Sequence, residues 1–302
     1  MTTPGGGLDG FDQRSGLDQR SGLDQRGRAD QRVVQVRGEV LSVKRVGAHH
    51  LVTLVAPGVA ERFRPGGFVT LGLGGPLSGR ALPRAFALHR ARPTGSYGGT
   101  AEIVLTVTEE ATRWLAAAPA GTPLDVVGPL GRPFALPKEP VTCVLVGEGA
   151  DAAPLFALAE RLRERGCLVH MVLGADTEAA LFGVLEARRA TRSVTVATRD
   201  GSVGSRGEVA AVLPDLLART QADVVYAAGS PAVLHGAAVA AEAHGAWSQT
   251  LLAPRDVPMP CGTGLCFGCT VPLVGEDGVS RQVRACTEGP VLRGDRVQWE
   301  RL

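Results

Sequence analysis

From Val33 onward, apolar and polar positions alternate in short runs rich in β-branched residues: VVQVRGEVLSV, HHLVTLVAPG, GGFVTLGLG and AEIVLTVTE, split by glycine and proline. A period of two in runs this short and closely spaced predicts an antiparallel barrel or sandwich that closes near Phe134. The pattern then changes. VTCVLVGEG is a continuous apolar run, and the APLFALAERLRERG that follows places Leu155, Leu158, Ala159 and Leu162 at helical spacing before Gly166 stops it. CLVHMVLGA repeats the strand, and further strand-like runs at 193–199, 223–229 and 247–253 alternate with helical stretches. Such alternation predicts an α/β doubly wound parallel sheet. The expected order is an antiparallel β-barrel over 33–137, the doubly wound sheet over 138–253, and a small cysteine-rich C-terminal segment over 254–302.

The first 32 residues follow neither period. SGLDQR occurs at 15–20 and again at 21–26, with degenerate copies on either side. Five aspartates and five arginines cancel there and few apolar residues are available to bury, which predicts a disordered low-complexity tail. A docking tail for a partner is the functional alternative.

Composition narrows the classes. The 302 residues are 44% hydrophobic, enough for real cores in two or three domains, and the formal net charge is only +2, so no basic excess points to nucleic acid or an anionic membrane. No apolar run is long enough to span a bilayer and the N-terminus lacks the order of a signal peptide, which makes the cytoplasm the expected location. Six histidines are scattered with no H-E-x-x-H, and neither a G-x-S-x-G elbow nor a G-x-x-x-x-G-K-[ST] loop occurs, so hydrolase and nucleoside-triphosphatase readings have no support. The Glu109–Glu110 pair reads as a solvated turn, because adjacent side chains on a strand or turn point apart.

Four of the six cysteines crowd into the last 42 residues. Cys261, Cys266, Cys269 and Cys286 are spaced C-x4-C-x2-C-x16-C, the plant-type ferredoxin spacing for a [2Fe-2S] cluster. Gly262, Gly264 and Gly268 suit a loop that must wrap a cluster and bring backbone N–H groups close to sulfur. Zinc is the rival, although structural zinc sites favour two close cysteine pairs; unliganded thiols are the remaining reading. Cys143 and Cys167 each lie in an apolar run and are expected to be small core residues.

A barrel, a doubly wound domain and a ferredoxin-type segment, in that order, are expected of a reductase that splits a hydride into single electrons. On PRAFAL at 83–88, DVVGPLGRPF at 125–134, VLVGEGADAAPL at 144–155, RDGSVGSRGEV at 199–209, AAGSPAVL at 227–234, MPCGTGLCFGC and RACTEGPVLRGDRV, the chain resembles the electron-transfer subunits of dihydroorotate dehydrogenase, iron–sulfur flavoproteins of the ferredoxin-reductase-like superfamily. The resemblance implies FAD contacts from Arg84, Ala85, Phe86 and Ala87, from Val104, Leu105 and Thr106, and from Ala111 and Thr112. It also implies NAD at the turn carrying Gly147 and Gly149, and cluster ligation by the four cysteines. The implied partner is a separate FMN-containing catalytic subunit that oxidises dihydroorotate, in a heterotetramer of two copies of each subunit.

The chain departs from that family at its phosphate loops. Ala87 stands where the family usually has serine and Thr106 where it has arginine. A Gly-x-Gly-Thr turn is replaced by Glu109, Glu110, Ala111 and Thr112, and a GGGIGVxPL turn by Gly147, Glu148, Gly149, Ala150, Asp151, Ala152, Ala153 and Pro154. Two like charges about 4 Å apart repel by roughly 4 kcal/mol at an effective dielectric near 20, so a carboxylate aimed at a phosphate weakens binding. Two alternatives follow: a reductase component serving another acceptor, and a cluster-bearing scaffold that has lost flavin and NAD.

Overall fold

The computed structural model of the chain describes residues 33–74, 82–93, 95 and 98–302, so the repeat at the N-terminus lies outside the described residues. Strands β1 (Val34–Val46), β2 (His49–Val55), β3 (Phe68–Gly72), β4 (Arg84–Arg92), β5 (Thr100–Thr106) and β6 (Pro123–Leu130) close into an antiparallel barrel in the order β1-β2-β5-β4-β3-β6. The period-two pattern is the cause: along β5, Ala101, Ile103 and Leu105 are buried while the residues between them are partly exposed. Helix α1 (Glu110–Ala116) contributes Ala111 and Leu115 to the barrel core beside Val52, Leu54, Val69 and Leu88. Truncating the fully buried Leu115 to alanine would cost about 2–5 kcal/mol.

Next come β7 (Thr142–Glu148), α2 (Ala153–Glu164), β8 (Leu168–Ala175), α3 (Val184–Ala190), β9 (Ser193–Thr198), the short β10 (Ser205–Arg206), α4 (Val209–Thr220), β11 (Val224–Gly229), α5 (Pro231–His244) and β12 (Trp247–Leu252). These strands are parallel, in the order β10-β9-β8-β7-β11-β12. Both faces of β7 and β11 are covered, which is why VLV and VVYAAG read as unbroken apolar runs. Just past α2, Gly166 takes φ +80°, the left-handed conformation that the sequence anticipated as a stop. The chain moves outward from β7 through β8 and β9 and then returns to β11 on the other side. The crevice beyond the carboxyl ends of β7 and β11 is therefore the topological switch point where ligands of such sheets bind.

After the cysteine loop, β13 (Thr270–Val274) and β14 (Ser280–Arg284) form a hairpin, α6 (Ala285–Glu288) follows, and β15 (Val291–Arg293) joins the large sheet antiparallel to β12. Cys269, Val271, Ala285 and Cys286 share one apolar cluster with Phe68 and Leu130 of the barrel and Val225 and Ala227 of the sheet. The cysteine loop is thus anchored to both larger bodies.

Barrel and sheet are joined by buried polar contacts. His89 Nδ1 donates to the Ala153 carbonyl at 2.7 Å, since that oxygen can only accept, and the ring edges pack on Phe156 and Phe182. Burial holds His89 below the usual histidine range, so the ring is neutral and its Nε2 accepts from Arg90. Arg90 in turn pairs with Glu160 at 2.6 Å and with Glu186. Cys143 and Cys167 are buried as expected and hydrogen-bond each other, Cys143 donating; that bond, and then burial, raise its thiol. Among the described residues no helix is long and apolar enough to cross a membrane.

Candidate functional site

A cleft of about 540 Å³ opens where the barrel, the switch point and the segment preceding the cysteine loop meet. From the barrel come Arg84, Ala85, Phe86 and Ala87 on β4, Val104, Leu105 and Thr106 on β5, and Glu109 and Thr112 at the start of α1. The sheet domain adds Ala150, Asp151 and Pro154 from the turn between β7 and α2, and the link to the cysteines adds Arg255, Pro258, Met259 and Pro260. Largely apolar walls with a few polar groups, in a volume of this size, are what a small-molecule or cofactor site requires. Thr106 is already engaged: its hydroxyl lies 2.8 Å from His49 Nδ1, while His49 Nε2 donates to the Ala180 carbonyl at 2.8 Å.

Among the described residues lining the cleft, the two cations each face a carboxylate. Arg84 Nε lies 3.3 Å from Glu109 Oε1, and both side chains are about half exposed. Glu109 is the N-cap of α1, its carboxylate accepting a backbone N–H from Thr112 while the Thr112 hydroxyl accepts that of Glu109. In place of the expected solvated turn, the acidic pair opens a helix. On the other wall Arg255 Nη2 lies 2.7 Å from Asp151 Oδ2, although the alignment is too poor for a hydrogen bond. Burial pushes the Asp151 carboxyl up to about 6, with Arg255 opposing and Asp256 and Glu148 adding to the rise.

At the switch point the glycine turn keeps its shape. A Cβ on Gly147 would come within 2.5 Å of the Ala152 Cβ, and Gly149 takes φ +51°. Glu148 reaches across from the end of β7, its Oε2 accepting the backbone N–H of Ser230 at 2.9 Å, at the N-cap of the 14-residue α5. The carboxylate thereby holds the position at which a helix N-terminus would meet an external anion.

The four thiols influence one another electrostatically. Cys261 and Cys266 interact with each other, as do Cys269 and Cys286, and Cys286 senses the charge of Cys261. Burial raises the Cys261 thiol, but backbone hydrogen bonds at Cys266 and Thr263 outweigh it and hold the thiol at about 6, favouring the thiolate that metals require. Burial, helped by the Cys269 thiol, pushes Cys286 up to about 12. Among the described residues no group of three or more Cys, His, Asp or Glu is gathered about a point as a single-ion site would be. The C-x4-C-x2-C-x16-C spacing of these soft thiols suits the two irons of a [2Fe-2S] cluster better than one zinc ion. Gly262 (φ +64°) and Gly264 (φ +83°) give the loop its path, and a Cβ on either would come within 3 Å of Leu130 or Thr287. Thr287 Oγ1 is buried with no hydrogen-bond partner, a donor free for a cluster sulfur.

The cleft therefore brings together Arg84, Ala85, Phe86, Ala87, Val104, Leu105, Thr106 and Thr112. Ala111 lies instead in the barrel core, while Gly147 and Gly149 shape the adjoining turn outside the lining. Sequence reasoning missed Arg255, Met259 and the pairing of Arg84 with Glu109. For Arg255 no local signal existed, because its partner Asp151 is 104 positions away.

Residues 258–298 match the family model described as the iron-sulfur cluster binding domain of dihydroorotate dehydrogenase B. The chain is 33% identical over 252 residues to the dihydroorotate dehydrogenase B (NAD(+)) electron transfer subunit of Bacillus caldolyticus, covering 82% of this chain and 91% of that one. It is 32% identical over 249 residues, 82% of each chain, to the electron transfer subunit homolog of Thermotoga maritima. Among solved structures it is similar to one reported for flavin-based electron bifurcation by NADH-dependent reduced ferredoxin-NADP oxidoreductase, with a TM-score of 0.75, 29% identity, and coverage of 88% of this chain and 91% of that chain. The ferredoxin reductase of carbazole 1,9a-dioxygenase, with a TM-score of 0.59 and 21% identity over 71% of this chain and 67% of that one, shares the fold.

Proposed function

Because this chain belongs to the family of dihydroorotate dehydrogenase B electron-transfer subunits, we propose that it passes electrons between FAD in the cleft and a [2Fe-2S] cluster held by Cys261, Cys266, Cys269 and Cys286, and exchanges them with an FMN-containing catalytic subunit that oxidises dihydroorotate. One observation carries this reading. Pro258, Met259 and Pro260 line the cleft and run directly into Cys261, so the wall of one site is the start of the other. Electrons leaving the cleft have a short route to the thiols.

When bound, FAD supplies the conversion between a two-electron hydride and single electrons, and the cluster carries single electrons. The chain supplies placement. Phe86, Ala87, Val104 and Leu105 form an apolar wall that excludes water from a flavin ring, and Arg84 is the cation on the same strand that meets diphosphate charge. Nicotinamide enters at the switch point beside Gly147 and Gly149, where Glu148 must leave the Ser230 amide to admit a diphosphate. The working division is a flavin barrel over 33–137, a nicotinamide domain over 138–253 and a cluster segment over 254–302.

The partner docks on the cysteine loop. Cys266 is exposed, and Leu265 and Phe267 beside it are 82% and 62% exposed, an apolar tip around a thiol rather than a polar loop. Assembly follows the family as two copies of each subunit, in the cytoplasm. The test is iron and flavin per chain on anaerobically purified protein: about two irons and one FAD are expected. Iron without flavin would leave a one-electron relay or scaffold, and protein lacking both would overturn the reading.

A further inference from the structure

Arg84 and Arg255 are the cations among the described residues lining the cleft, and both face carboxylates. Among the described residues, a ligand carrying a diphosphate therefore meets no uncommitted positive charge in this cleft. The two pairs are not equivalent. Asp151 is largely shielded, its side chain 18% exposed, and Arg255 also pairs with Asp256 at 3.4 Å, so that wall is fixed by several charges. Glu109 is 48% exposed and its Oε1 meets Arg84 at 3.3 Å, a pair that water already screens and that exchanges readily. Glu109 lines the cleft on the element that follows β5, at the N-cap of α1.

We propose that Glu109 is a specificity-determining residue, a built-in anion that competes with a ligand's diphosphate for Arg84 and so sets how strongly the cleft distinguishes charged from uncharged flavins. This rests on the flavin reading of the cleft. In a chain built this way, the isoalloxazine wall binds any flavin alike, while the diphosphate of FAD must displace Glu109 before it gains the guanidinium. Removing the charge of Glu109 tightens FAD and leaves riboflavin, which has no phosphate, unaffected. The preference is also salt-dependent, because both the competitor and the ligand act through charge.

The experiment titrates apoprotein carrying the full chain into FAD and, separately, riboflavin, following the loss of flavin fluorescence at low ionic strength for wild type and Glu109→Gln. Glutamine keeps an oxygen for the Thr112 amide and loses only the charge. If it fails to fold, Glu109→Ser supplies a favoured N-cap residue in its place. The expected result is an FAD dissociation constant lowered by at least about threefold with riboflavin within about twofold of wild type. Unchanged FAD affinity overturns the proposal, and so does equal tightening of both ligands, which would mean the variant had changed space and not charge. Binding of neither flavin by either protein overturns the proposal together with the flavin reading, whereas FAD binding that is equal in both removes the proposal alone.

Discussion

Glu148 accepts the backbone N–H of Ser230 across 2.9 Å, joining the end of β7 to the start of α5 over the switch point of the sheet. The carboxylate satisfies one of the amides that every helix start leaves open, and it brings a negative charge to a place where dinucleotide phosphates are otherwise welcomed. Glu148→Gln keeps an acceptor for Ser230 and removes the charge. With NADH as donor and ferricyanide as acceptor, KM for NADH is expected to fall by about tenfold, a relief of about 1.4 kcal/mol, with kcat little changed. An unchanged KM would mean that phosphate never approaches this turn.

Asp151 predicts an unusual pH dependence of stability. Its native carboxyl sits at about 6 because burial disfavours the charge, against 3.8 for an unperturbed aspartate. Between those values the folded chain binds the proton more readily than the unfolded one. The contribution is thus fully present below about pH 4, declines as pH rises through 6, and costs up to about 3 kcal/mol above that. Asp151→Asn is expected to raise the melting temperature by several degrees at pH 7.5 and to lose that advantage at pH 4.5. A difference of equal size at both pH values would assign the effect to packing.

His89 acts in the opposite direction. Buried and held below the usual histidine range, it must be protonated in the unfolded state first, so its contribution is present above about 6.5 and is lost as pH falls below that value. His89→Gln keeps a hydrogen bond to Ala153 in reach and removes the titration; its unfolding midpoint in urea is expected to vary less than wild type between pH 7 and pH 5. If the two proteins track each other, the barrel–sheet seam is insensitive to this ring.

How legible was this site beforehand? The barrel and the parallel sheet were readable because their periodicities are local: alternate burial along β5 and unbroken burial along β11 are written in consecutive residues. The cluster was legible for the same reason, the cysteine spacing being itself the motif. What could not be read was direction. Glu109 and Glu148 were recognisable as intruders in two glycine turns, but only the fold shows that one leans on Arg84 and the other on Ser230. Asp151 and Arg255 meet across 104 positions, a contact made by the return of the chain past β12 and announced by no local pattern. Ala111 was misleading in another way, because a small residue next to Thr112 serves the barrel core as well as it would serve a ligand.

The apolar tip of the cysteine loop supplies a test of docking. Phe267 takes φ +56° and lies under the guanidinium of Arg284, 5.2 Å from the ring centroid, so it is held outward by backbone and side-chain contacts together. Leu265→Ser with Phe267→Asn, asparagine being tolerant of that backbone, is expected to leave iron content and flavin reduction unchanged. If the proposed catalytic partner docks here, electron transfer to it should slow by tenfold or more through weaker association. If complex formation measured by analytical ultracentrifugation is unaffected, the partner lands elsewhere.

The cysteines separate ligation from packing. Cys266 is exposed at the loop tip, whereas Cys286 is 1% exposed among Cys269, Val271 and Ala285. Cys266→Ser and Cys286→Ser each remove one member of a thiol pair, and both are expected to lose iron and the visible absorption of the cluster. Their apoproteins should differ. Serine at position 286 puts a hydroxyl into an apolar cluster and should cost about 1–3 kcal/mol of stability, while serine at position 266 faces water and should cost little. Cys143→Ala is the control, since that thiol bonds Cys167 in the sheet core and has no part in the loop; it should keep full iron content while destabilising the fold. Iron loss in that control, or iron retained in either serine variant, would move the cluster away from the four cysteines assigned to it.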